Sequence, residues 1–324
     1  MKPPVFIVGC PRSGTSFLYH LLLSAGGFAE FRTQMNAYDV LDPIYGPLSS
    51  SRNRARMMRD WLQSKAFQVS GLDAAAIEAK VQAECRSVAD FLRIVMNEVA
   101  TAQGVERWID STPTNIPHML RIAGDFPDAQ FLHIIRDPRD VALSLVKRGW
   151  ARPLPWDKDK ALLAAGLYWE CIVRKGRGLG ARLQSRYFEL RYEELVEKPR
   201  EVLARVGEFL QRDLDYDRIQ QRRVGSVKTP LTAFSEDLER GEFKPVGRWK
   251  ERFPRAQLQQ FEDLIGRYMT ELGYVRATPP GRHRFFVRRK RLEYGAFYGL
   301  KQWGKVNTPL SRWLVNYSEI LIDK

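Results

Sequence analysis

The sequence predicts an α/β fold: a parallel sheet flanked by helices, of the P-loop nucleotide-binding type, with a helical insertion and a basic C-terminal appendage. Three observations predict it. Short apolar runs rich in Val, Ile and Phe alternate with stretches of helical periodicity, the pattern of βαβ units. The first run, "PVFIVG" at 4–9, passes into a helix through a loop in which Gly9 and Gly14 have the spacing of a phosphate-binding loop, whose N–H groups and following helix N-terminus cradle an anion. A composition that is 44% hydrophobic supports a sizeable core. No apolar run approaches the roughly 18 residues of a membrane-crossing helix.

The elements follow in order. "TSFLYHLLLSA" (15–25) is the helix after the loop. In 72–104, Asp73 is the N-cap, and Ile77, Val81, Cys85, Val88, Phe91, Leu92, Val95 and Val99 recur at three- and four-residue steps, which predicts one long amphipathic helix. It closes a helical insertion at about 45–105. "RWID" (107–110) and "AQFLHIIR" (129–136) read as strands, and "PRDVALSLVKRGW" (138–150) as a helix in which Asp137 and Asp140 serve the dipole. A helix at 161–180, a strand at 186–195 and a helix at 199–211 complete the alternation. Ligands of such sheets bind beyond the carboxyl ends of the strands, where the opening loop lies.

That loop has Thr15 where a nucleotide hydrolase needs lysine, which counts against a P-loop kinase or NTPase. A second stretch, "FLHIIRDPRDVALS" (131–144), delivers Arg136 at a strand end and Ser144 on the next helix, placed to converge on one phosphate. "FIVGCPRSGTSF" followed by "IIRDPRDVALS" resembles the sulfotransferases that use 3′-phosphoadenosine 5′-phosphosulfate (PAPS). "RYEELVEKPREVLARVGEFL" (191–210) and "KPVGRWKERF" (244–253) extend the resemblance over about residues 4–275, within a domain expected to span 1–280.

The resemblance implies transfer of a sulfuryl group from PAPS to a hydroxyl or amine, with carbohydrate or glycolipid the favoured acceptor and adenosine 3′,5′-bisphosphate the product. It implies that Arg12, Ser13, Gly14, Thr15 and Ser16 hold the 5′-phosphosulfate, with Arg12 also steadying the leaving group. Arg136 and Ser144 would hold the 3′-phosphate, Tyr192 would lie near the adenine, and Gly247, Arg248 and Trp249 would form a cofactor loop. Glu30, soon after the first helix, is the expected general base. Ser111 departs from the pattern, standing where many bacterial relatives carry a lysine. The chemistry asks for no metal, and no His, Cys or acid cluster has ligand spacing. The alternatives are the kinase class and a non-catalytic protein that binds PAPS or an anionic glycan. His133 reads as a structural residue of a core strand, while His20 and His118 have no partner visible in the sequence.

The net charge of +14 suits an anionic partner. Because the motif pair specifies a small, doubly phosphorylated ligand, nucleic acid is not the expected one. Cys10, Cys85 and Cys171 are scattered and odd in number, which points to a reducing compartment, and the first strand begins too early to leave room for a signal peptide. A cytoplasmic protein is expected, in possible contact with a membrane surface. Residues 281–324 form the appendage. From Arg282 onward ten Lys or Arg face three acids, Tyr294, Phe297, Tyr298 and Trp303 follow the basic cluster, and Leu310, Trp313, Leu314, Tyr317 and Leu321 fall at helical spacing. Such a segment suits either an anionic lipid surface or packing on the domain or a second subunit. The sequence leaves the oligomeric state open.

Overall fold

The structure, a computed structural model, describes residues 1–222, 224, 245–281 and 284–307. Among the described residues one sheet forms from β1 (Val5–Val8), β2 (Ile109–Asp110), β3 (Gln130–Ile135) and β4 (Tyr187–Arg191), in the order β2-β1-β3-β4 with every pair parallel. The register sets Val5 beside both Ile109 and Gln130, and Leu132 beside Phe188. β1 is buried along its whole length, as its unbroken apolar run requires of a strand covered on both faces. The chain leaves β1 for β2 on one side and returns to β3 on the other, so the gap above β1 and β3 is the switch point where such sheets bind ligands.

Helices cover both faces: α1 (Thr15–Ser24), α2 (Asp42–Tyr45), α3 (Ser51–Leu62), α4 (Lys65–Ser70), α5 (Ala74–Glu84), α6 (Val88–Ala102), α7 (Met119–Asp125), α8 (Pro138–Lys147), α9 (Ala161–Ala181), α10 (Tyr192–Glu197), α11 (Pro199–Leu210), α12 (Tyr216–Arg222), α13 (Trp249–Arg252), α14 (Arg255–Glu271) and α15 (Arg284–Asn307). The insertion is α2 to α6, packed with Phe6, Trp108 and Phe131 in one apolar cluster. α1 and α11 cover the sheet through Leu21, Leu22, Leu132, Leu203 and Val206. α8, α9 and α14 close the rest around Trp169, Phe261 and Ile265. α15 lies on this last layer, its Tyr294 buried with Leu154 and Ala164.

Three expectations are corrected. The helix expected over 72–104 is two, because the chain breaks at Cys85–Ser87. Ser87 Oγ accepts the Asp90 N–H at 3.1 Å, Asp90 takes the Arg86 N–H at 3.0 Å, and this reciprocal cap starts a new helix. The strand expected over 186–195 ends at Arg191, and Tyr192 already begins α10. The helix expected to reach 150 ends at Lys147, followed by Gly149 with a φ of 67°. The apolar face expected at 310–321 lies outside the described residues. His133 is a core residue as expected: its Nδ1 lies 2.6 Å from the Tyr187 hydroxyl, and burial brings its pKa down to about 3.

Candidate active site

β1 delivers the chain to a tight loop at the switch point. Arg12 and Gly14 both have positive φ, 74° and 102°, and the Ser13 N–H closes the turn on the Cys10 carbonyl at 3.0 Å. Gly14 caps α1 without a side chain, so the first N–H groups of that helix face the loop unclaimed by a capping oxygen. Ser13 and Thr15 are buried and Ser16 is exposed. The Ser13 hydroxyl is orphaned among the described residues.

β3 brings the second motif to the same place. Arg12 Nε donates to Ser144 Oγ at 2.9 Å, tying the loop to α8. Arg136, at the end of β3, donates through Nη1 to the Arg12 carbonyl at 3.2 Å and through Nη2 to the Pro245 carbonyl at 2.5 Å. Its guanidinium lies 4.3 Å from the centre of the Tyr192 ring, and its Nε is buried with no partner among the described residues. Tyr192 packs on the loop so closely that a Cβ at Gly14 would sit 2.3 Å from its ring.

The third segment is fastened by a residue whose role sequence reasoning missed. The two carboxylate oxygens of Asp140 accept the backbone N–H groups of Gly247, at 2.8 Å, and Trp249, at 2.9 Å, and so clamp the 247–249 loop beside Arg136. Trp249 is stacked under Arg139, whose guanidinium is 3.5 Å from the ring centre and is held by Asp137 and Glu262. An acid in the first turn of a helix reads as a dipole partner, and nothing in the sequence says that a loop over a hundred residues later will use it.

The charges explain what the arrangement is for. Burial pushes the Arg12 guanidinium down from its ordinary value, and Arg148, Arg136 and Arg248 push it further. Arg248 is lowered by burial and then by Arg136. Four arginines therefore lie close enough at this site to repel one another, Arg136 buried, Arg12 and Arg248 partly buried and Arg148 exposed. Asp140 stands 3.9 Å from Arg136, with its own carboxyl pushed up by burial. Such repulsion is relieved by a ligand with several negative charges, and the orphaned Ser13 hydroxyl and Arg136 Nε are further donors for it. Arg148 was missed because a cation at a helix C-terminus reads as a dipole partner.

The structure does not bring Glu30 to this pocket. Glu30 is paired with Arg32 at 3.0 Å and with Arg222 at 2.8 Å, and Arg222 reaches Gly26, just past the C-terminal end of α1. α1 rises about 15 Å over its length, so Glu30 sits at the far end of the helix whose N-terminus meets the loop. Asp110 is buried, accepting the Thr112 N–H at 2.9 Å and the Asn115 amide at 3.1 Å, which makes it the brace of the turn after β2. Asp39 lies 4.0 Å from His118 Nε2.

The description "Sulfotransferase family" matches residues 3–217, two thirds of the chain, and the chain belongs to that family. The sulfotransferase domain from the curacin biosynthetic pathway superposes with a TM-score of 0.58 at 17% identity, over 85% of this chain and 99% of that one. The sulfotransferase domain of the Synechococcus PCC 7002 olefin synthase does so with a TM-score of 0.55 at 19% identity, over 83% and 95%. At these identities the likeness speaks for the P-loop-like fold. No curated protein matches the chain. Among the described residues no helix is long and apolar enough to cross a membrane, and no three His, Cys, Asp or Glu are grouped to hold a metal.

Proposed function

We propose that this sulfotransferase uses PAPS as its donor and passes the sulfuryl group to a hydroxyl or amine of a small-molecule, carbohydrate or glycolipid acceptor. The observation that carries the reading is the 2.9 Å hydrogen bond from Arg12 to Ser144, which joins the two phosphate motifs at one site. PAPS supplies an activated S–O bond, and adenosine 3′,5′-bisphosphate is its remainder after transfer. The chain's own work is positioning and charge neutralisation. Ser13, Thr15, Ser16 and the N-terminus of α1 hold the 5′ end, Arg12 meets charge growing on the bridging oxygen, and Arg136 and Ser144 hold the 3′-phosphate. Tyr192 and the Gly247, Arg248 and Trp249 loop close over the nucleotide. Ser111 offers no charge where a lysine stands in many relatives, which leaves more of the neutralisation to Arg12 and Arg148.

The acceptor must lose its proton as it attacks. Glu30 has the family resemblance in its favour and its position at the far end of α1 against it. Asp39, whose carboxylate lies 4.0 Å from His118 Nε2, is the other acid we set against it. Titration calorimetry with adenosine 3′,5′-bisphosphate tests the donor site: Arg136→Ala and Ser144→Ala should each weaken binding about tenfold to a hundredfold. Unchanged affinity in both would remove the second motif from the site. Incubating a cell extract with the protein and isotope-labelled PAPS, followed by mass spectrometry, identifies the acceptor.

A further inference from the structure

Among the described residues α15 is held to the domain chiefly along one face. Tyr294 is buried, Lys290 pairs with Asp157, Arg291 donates to Glu170 at 2.7 Å, and the Tyr298 hydroxyl bonds the Arg152 carbonyl. These residues recur at helical steps and mark the attached face. Away from that face Phe285 is 81%, Leu292 66% and Leu300 70% exposed, and Leu292 and Arg288 line an open groove shared with Gly266, Arg267 and Thr270 of α14. Arg288 and Arg289 lie between Phe285 and Leu292. The helix carries seven Lys or Arg against one Glu. A contiguous run of exposed large apolar side chains among cations marks an interaction surface.

The loop under α15 has the same character. It runs from the end of α8 to α9 and exposes Trp150 by 56% and Trp156 by 65%. The Trp156 ring meets Phe297 of α15 edge-on, with centroids 5.7 Å apart, and Phe297 is one turn from Leu300. Trp150 lies 5.7 Å from the Arg12 guanidinium, at the mouth of the donor pocket. Exposed aromatic and apolar side chains thus lie beside Arg12, on the loop and on α15.

We propose that α15 and the 150–156 loop form a peripheral docking surface for anionic lipid. The chemistry fits that occupant on three counts. Exposed apolar residues bordered by arginine on a helix are what an interfacial helix inserts among acyl chains while its cations meet lipid phosphates. Tryptophan is enriched at the level of the headgroups. The charge of the helix and of the whole chain is complementary to an anionic leaflet. Because the patch adjoins the donor pocket, docking would hold that pocket against the headgroup layer and present acceptors borne by lipid. That last step rests on the donor-site reading, whereas the docking itself does not.

The test is co-sedimentation of the full chain with vesicles of phosphatidylcholine alone and with phosphatidylserine added, at low and high salt. Binding is expected to the anionic vesicles only and to fall with salt. Arg288→Gln, neutralising one exposed cation, should lower the partition coefficient about fivefold, and Phe285→Ser with Leu292→Ser should abolish partition, with circular dichroism unchanged in both. Full chain left in the supernatant with anionic vesicles at low salt overturns the proposal. So does a wild-type dimer in light scattering that Phe285→Ser with Leu292→Ser converts to monomer, because these side chains would then pack on a second copy. Calorimetry with adenosine 3′,5′-bisphosphate, run on the same variants, should show no change, which separates failure of docking from failure of the donor site.

Discussion

At Gly14 two demands meet on one atom. The φ of 102° is a conformation that side chains rarely adopt, and the place of a Cβ is already filled by the Tyr192 ring. Gly14→Ala should therefore cost about 1–3 kcal/mol in urea unfolding and weaken nucleotide binding as well, since the loop must open to admit the methyl group. Adding Tyr192→Ala should relieve the clash but not the backbone strain. Full recovery of stability in the double variant would show that φ does not matter here. Asp110 makes a different prediction. Burial raises its pKa to about 6, above the unfolded value of about 4. The native state thus binds this proton more tightly, and the resulting stabilisation is complete below about pH 4 and lost as pH rises through 6. Asp110→Asn keeps an acceptor for Thr112 and Asn115 without the charge, so its melting temperature should exceed that of the wild type at pH 7.5 and the difference should vanish near pH 4. A gain that does not shrink on acidification would mean that burial of the charge is not the cause. For the proton acceptor, Asp39→Asn should lower turnover about 10²- to 10⁴-fold with nucleotide affinity unchanged, and Glu30→Gln should leave it near normal. The reverse pattern would restore the base to Glu30.

Elements were legible in the sequence wherever a single rule decides them. β1, α1, β3 and α8 follow from periodicity and a turn, and their ends hold the two motifs, so that part of the site could be read directly. What stayed hidden depends on partners distant in the chain. Residues 72–104 keep one apolar phase, Val81, Cys85, Val88, Phe91 and onward, and periodicity alone makes them a single helix. The break needs Ser87 Oγ to accept the Asp90 N–H while the Asp90 carboxylate accepts the Arg86 N–H and the Ser87 hydroxyl, a local competition that hydrophobic pattern does not register. Ser87→Ala should therefore cost about 1 kcal/mol and raise hydrogen exchange at the start of α6 while leaving α5 protected. Uniform loss of protection across both helices would mean that they behave as one unit. Asp140 was legible as a first-turn acid and not as the clamp on 247–249, because its partners are backbone N–H groups 107 and 109 residues away, whose positions only the assembled sheet defines. Glu30 shows the converse. Its distance along the chain from the loop matches the family pattern, but α1 carries the chain away from the loop before Glu30 is reached.

The whole molecule carries a charge of +14 and brings Arg12, Arg136 and Arg248, all at least partly desolvated, together with the exposed Arg148 at one site. Folding without a ligand must work against their mutual repulsion, since like charges close together in a medium less polar than water are not fully screened. A polyanion that binds only the folded chain removes that cost and adds its own binding energy. Adenosine 3′,5′-bisphosphate at a hundred times its dissociation constant should stabilise the fold by about 2.7 kcal/mol, which in a chain of this size is a rise of a few degrees in melting temperature. Sulfate should produce a smaller rise, because it occupies one of the two anion positions that the Arg12 and Arg136 motifs define. Sodium chloride should weaken the nucleotide by screening, though less than it weakens a contact made wholly at the surface, since Arg136 is buried and Arg12 and Arg248 are partly buried. Arg136→Ala decides the matter. If repulsion is the origin of the effect, this variant should melt at or above the wild-type temperature without ligand and gain least from the nucleotide. A variant that melts lower without ligand and gains as much would show that Arg136 serves the fold through its bonds to Arg12 and Pro245 and has no part in holding an anion.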